Sequence, residues 1–148
     1  MNRYFGGLIA GLAATLVISI LIVCKAMLGF APELELVGMP SRTLGVGIEA
    51  AWVIHVLIGA VWGLLFAAIG MHLPGRNSVL RGLCFGALAW LLMMVAVMPA
   101  AGAGLFGLNF GFISPATTLA LHLVFGAVMG LTYGWLTKPH DHGHLAFH

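Results

Sequence analysis

The sequence predicts an all-α membrane protein: four transmembrane helices in an up-down-up-down bundle, built from two parallel copies of a helical hairpin. Three observations predict it. Of the 148 residues, 61% are hydrophobic and only 7% charged, with a mean hydropathy of +1.10, whereas a soluble domain is about a quarter charged. Four apolar runs, about 4–30, 44–71, 79–98 and 115–136, reach the roughly 20 residues that cross a bilayer as helix. Finally, residues 55–64 read HVLIGAVWGL and residues 122–131 read HLVFGAVMGL, nearly the same phrase.

The first run is expected to stay as a span rather than leave as a signal peptide. It is too long, and Lys25 stands where a small cleavage residue would be needed. Pro32 and Pro40 break the connection to the second run, which ends at the tight turn Pro74-Gly75. The third run is expected to stop at Pro99. The loop Ala100–Ile113 is glycine-rich and nearly all apolar, so it should lie at the interface or fold back on the bundle. Pro115 suits the first turn of the fourth span. Residues 1–137 thus form the membrane domain, and 138–148, KPHDHGHLAFH, a His-rich cytoplasmic tail. That tail lacks the fixed spacing of a closed tetrahedral metal site. Cys24 and Cys84, near opposite ends of their helices, should stay unpaired.

Arg3, Arg76, Arg81 and Lys138 share one side of this topology; the other carries Arg42, offset by Glu33 and Glu35. Both termini are therefore expected in the cytoplasm. A net charge of +2, spread along the chain, argues against a nucleic-acid partner. No nucleophile–base pair, phosphate loop or carboxylate dyad is visible, so an enzyme in its own right is not expected.

Aligning His55 on His122 also pairs Gly59 with Gly126 and Gly63 with Gly130. Spans 1 and 3 correspond through GLIAGLAATL and GLCFGALAWL, which pair Gly11 with Gly86. Parallel repeats are related by an axis along the membrane normal. That puts spans 2 and 4 on one diagonal of the bundle and 1 and 3 on the other. His55 is 11 residues into span 2 and His122 is 7 into span 4, both roughly 10–17 Å below the same surface.

An ionisable side chain at membrane depth is costly and usually functional. Two facing histidines suggest axial ligation of one haem b, similar to the way cytochrome b-type bundles hold haem, although those usually carry two ligands per helix. Gly59, Gly126, Gly11 and Gly86 would leave room for the macrocycle, and Lys25 and Arg42 could pair with its propionates. Copper is the alternative, with Met93, Met94 and Met98 on span 3 and Cys24 on span 1 as soft ligands beside the imidazoles. The structural alternative has each imidazole bonded to a neighbouring group, with Ser19, Thr117 and Thr118 as candidates, and the glycines packing helices. His72 and His140 at the inner surface could hold a second haem, and Lys25 and Glu49 could form an ion pair.

From MNRYFGGLIAGLAATL through HVLIGAVWGLLFA, LPGRNSVLRGLCFGALAWLLMM, MPAAGAGLFGLNFG and HLVFGAVMGLTYG, the chain resembles a family of small uncharacterised bacterial four-helix membrane proteins. The resemblance implies the bacterial inner membrane and no particular activity. Two classes of function follow from the residues. One is a haem-binding, electron-transfer protein acting alone or in a respiratory complex. The other is an accessory or assembly subunit packed against a larger membrane complex, or a homo-oligomer. A channel or transporter fits less well, for want of intramembrane polar groups.

Overall fold

The computed structural model describes residues 2–30, 41 and 44–137. Within them the chain is all-helical. Helix α1 spans Arg3–Met27, α2 Ile48–Ile69, α3 Ser78–Leu92 and α4 Ile113–Thr137. Each is apolar and, with its flanking turns, long enough to cross a membrane. A single 3-10 turn, Gly70–His72, ends α2. The Asn2 and Asn77 side chains cap α1 and α3 by accepting from the Tyr4 and Leu80 amides.

Helix ends shift by a few residues from expectation, two of them for visible reasons. Helix α2 begins at Ile48 rather than near residue 44, because Gly45 takes a left-handed φ of 66° and breaks the run. The third span does not stop at Pro99. After Leu92 it widens into a π-turn, Met93–Val97, and restarts as Met98–Ala100 with Pro99 in its first turn. The wider turn leaves proline where no helical amide is missed.

The helices pack as 2–1–4–3: α1 lies against both α2 and α4, and α4 against α3. Helices α2 and α4 are therefore diagonal. The glycines account for the close pairs. A Cβ at Gly11 would meet the Gly59 carbonyl and the Gly63 backbone, and one at Gly7 would meet Gly63 and Ala67. In the second hairpin Gly82 meets Gly126 and Gly130, and Gly86 meets the His122 carbonyl and Gly126. Gly11–Gly59 and Gly86–Gly126 are repeat equivalents, as are Gly7–Gly63 and Gly82–Gly130. The repeat is thus a duplicated backbone clasp of small residues.

Helices α2 and α3, by contrast, meet mainly through aromatic side chains. The Phe85 ring stands edge-on to Trp62 at 5.5 Å and to Phe66 at 5.4 Å, and Phe66 to Tyr133 at 5.4 Å. The outward faces carry large apolar side chains on every helix, among them Leu16, Val53, Leu57, Leu88 and Leu131. In water such a surface would drive aggregation; in lipid it is the required one.

Loop Ala100–Ile113 folds back on the bundle as expected. Ala103 joins Met94 and Met98 in a buried cluster covered by Trp90, Phe106 and Phe110. The Asn109 amide holds the loop closed on the Gly102 carbonyl at 3.0 Å.

Candidate functional site

Above the aromatic bridge, toward the end away from Arg3 and Arg81, α2 and α3 stand apart. The gap opens a cavity of about 780 Å³, within the range of pockets that hold small molecules and cofactors. Its walls include Thr15 and Ile18 from α1, Ile58 from α2, Ala89 from α3, Met93 from the π-turn that follows it and Phe125 from α4; Trp62 also lines it. Both His55 and His122 line it.

Helix geometry brings the two histidines there. His55 is the eighth residue of α2 and His122 the tenth of α4, so at 1.5 Å per residue they differ in depth by only ~3 Å. The match is closer than the sequence-based span ends implied, because α2 starts later and α4 earlier than expected.

The two rings are held differently. His122 Nδ1 lies 2.8 Å from the Thr118 carbonyl. A carbonyl only accepts, so Nδ1 carries the proton and Nε2 keeps its lone pair. Metal-binding histidines are commonly oriented by this kind of bond from the second ring nitrogen to a backbone carbonyl. His55 Nε2 is buried with no hydrogen-bond partner among the described residues. The His55 ring stands edge-on to Trp52 at 5.8 Å, an apolar contact that offers it no hydrogen bond.

Of the expected partners, Thr118 serves His122 through its backbone carbonyl, while the Ser19 and Thr118 hydroxyls are engaged elsewhere. Ser19 donates to the Thr15 carbonyl. Thr118 Oγ1 donates to the Ser114 carbonyl at 2.8 Å and accepts from Trp90 Nε1 at 3.1 Å.

The other expected site residues scatter. Gly11, Gly86 and Gly126 are closed off by the partner helix backbone, and Gly59 by the Thr15 side chain. Of these four only Gly59 touches the cavity; Gly11, Gly86 and Gly126 serve helix packing. Lys25 Nζ donates to the Phe30 carbonyl at 2.9 Å, beyond the cavity walls. Arg42 lies outside the described residues, as do His140 and the tail. Met94 and Met98 are fully buried in the loop cluster, whereas Cys24 is exposed and, like Cys84, a free thiol. Of the expected sulfur ligands Met93 lines the cavity with the histidines, whereas Met94, Met98 and Cys24 do not. No group of three or more His, Cys, Asp or Glu side chains converges among the described residues. His72 sits at the opposite end, in the turn that closes α2.

Sequence reasoning missed the cavity's cause. The only trace of it in the sequence is negative: the two helices that clasp through glycines are each paired within a hairpin, and nothing comparable links α2 to α3.

The sequence profile of a family of unknown function (DUF6789) matches residues 1–144. No curated protein and no solved structure matches the chain.

Proposed function

We propose that this chain, which belongs to the DUF6789 family, is a small redox protein of the bacterial inner membrane that holds one haem b between His55 and His122. The observation that carries this reading is the orphaned Nε2 of His55, on a side chain that lines the same cavity as His122. A buried polar atom without a partner costs about 1–3 kcal/mol. A purely structural histidine would be expected to have found one.

Haem iron supplies reversible one-electron chemistry at a potential that axial ligands and burial tune. The chain's own contribution is positional. The Thr118 carbonyl fixes the His122 tautomer and leaves Nε2 as the ligating atom. His55 Nε2 is closed off from water, so ligation requires its ring to turn about its side-chain bonds toward the cavity. Ile18, Ile22, Leu121 and Phe125 exclude water around the centre, and the electron's destination would be a larger membrane complex packed alongside.

The test is a visible spectrum and a pyridine haemochrome assay on protein expressed with haem supplied. A low-spin Soret band with one haem per chain is expected. Colourless protein under those conditions would end this reading. It would favour the second one, in which the α2–α3 gap receives a helix of a partner complex and the protein is an accessory subunit.

A further inference from the structure

A second, smaller cavity lies at the opposite end of the bundle. It measures about 140 Å³ and is lined by Arg3, Ser78, Arg81 and Tyr133 above an apolar rim of Phe66 and Met71. All four helices contribute: the first residue of α1, the closing turn of α2, the first turn of α3 and the last turns of α4. The volume corresponds to about four or five waters' share of liquid, the scale of one phosphate group.

Its charge is one-sided. Glu49, the one acidic side chain among the described residues, is in the first turn of α2 at the far end. Arg81 is half-buried, and its Nε donates to the Gly75 carbonyl at 3.2 Å. That bond aims the guanidinium and leaves its two terminal nitrogens without a hydrogen bond among the described residues. Arg3 donates from Nη2 to the Tyr4 hydroxyl at 2.8 Å and lies 4.7 Å from that ring's centre, so its position is set as well. The Ser78 hydroxyl and the Tyr133 phenol add neutral donors. Planar guanidinium groups bind phosphate through paired N–H bonds, and basic pockets between membrane helices take lipid head groups.

We infer that this basic-end cavity binds a phosphate-bearing anion, gripped by Arg3 and Arg81 with Ser78 and Tyr133 as further donors. Two sources share that chemistry. One is the head group of an anionic phospholipid, whose acyl chains would run down the Phe66–Met71 rim into the membrane; the other is a free phosphate compound from the aqueous side.

The experiment uses the full chain, delipidated in detergent. Native mass spectrometry follows uptake of phosphatidylglycerol and of phosphatidylcholine with the same chains, and thermal shift follows inorganic phosphate. The expected result is one phosphatidylglycerol held per chain in preference to phosphatidylcholine. Arg3→Gln and Arg81→Gln should each weaken it about fivefold. Arg76→Gln, the same charge change at an exposed residue outside the cavity, should leave it unchanged. Stabilisation by inorganic phosphate without lipid preference, lost in the same two variants, assigns the site to the soluble source. Equal loss in Arg76→Gln would reduce the effect to general surface charge and overturn the site, as would binding of neither probe. Should the glutamine variants unfold, photoreactive phosphatidylglycerol on the wild type decides. Adducts around residues 66–81 support the site, and adducts confined to the far end of the bundle overturn it.

Discussion

At the scale of single residues, His55 and His122 ask for opposite treatment. Among the described residues His122 makes one bond, to its own helix at Thr118, and His55 Nε2 makes none. In cofactor-free protein, His55→Leu removes an unsatisfied buried atom and should leave the melting temperature in detergent unchanged or raise it. His122→Leu discards a formed bond and should lower it, by the equivalent of about 0.5–1.5 kcal/mol. A marked loss of stability in His55→Leu would reveal a partner for His55 and restore the structural reading. In protein expressed with haem, His55→Ala and His122→Ala should each abolish low-spin absorption, and the double variant should lose no more, since one axial ligand alone cannot keep six-coordination. His72→Ala should leave the spectrum intact: His72 is 17 residues beyond His55 along the same span, about 25 Å away.

At the scale of elements, the two hairpins share their clasp and differ in its material. A Cβ at Gly126 would strike the Gly82 carbonyl, which is backbone and moves only if α3 and α4 separate. At Gly59 the obstacle is the Thr15 side chain. Gly126→Ala and Gly59→Ala should each destabilise by about 1–3 kcal/mol, the usual cost of overpacking. Only the second should be rescued: Thr15→Gly combined with Gly59→Ala should recover part of the loss, while no side-chain removal recovers Gly126→Ala. Chemical denaturation of these three variants and of Thr15→Gly alone, in mild detergent, measures this. Additive losses in the Thr15–Gly59 pair would mean the two residues do not meet. The duplicated glycines were legible in the sequence as a repeat. Their use was not, because a small residue next to a histidine reads equally as room for a ligand or as room for a helix.

At the scale of the whole molecule, the open side of the bundle and its charge asymmetry matter most. Arg3, Arg76 and Arg81 all gather at the end opposite the histidine-lined cavity. The positive-inside rule predicts that this cavity faces the outer leaflet. A chain lacking Cys24 and Cys84 and carrying Phe112→Cys, a position 90% exposed, should react with an impermeant thiol reagent added to intact cells. The same chain with Arg76→Cys should react only after lysis. The reverse pattern would turn the protein over and move the cavity to the inner leaflet.

Composition and the four apolar runs determined by themselves that the chain is a four-span helical bundle, because in lipid every backbone polar group must be satisfied within its own helix. The repeated phrase determined that His55 and His122 lie at like depth on equivalent helices, since rise per residue is constant. Three things were decided only by the tertiary structure. Gly11, Gly86 and Gly126 close onto neighbouring backbone and Gly59 onto the Thr15 side chain; α2 and α3 meet through the rings of Trp62, Phe66 and Phe85 rather than through a glycine clasp; and among the described residues His55 Nε2 has no hydrogen-bond partner while His122 Nδ1 has one. Each depends on which face of a helix meets which neighbour. Periodicity names the faces of a soluble helix by contrasting apolar with polar residues, and in a membrane helix apolar on every side that contrast is absent.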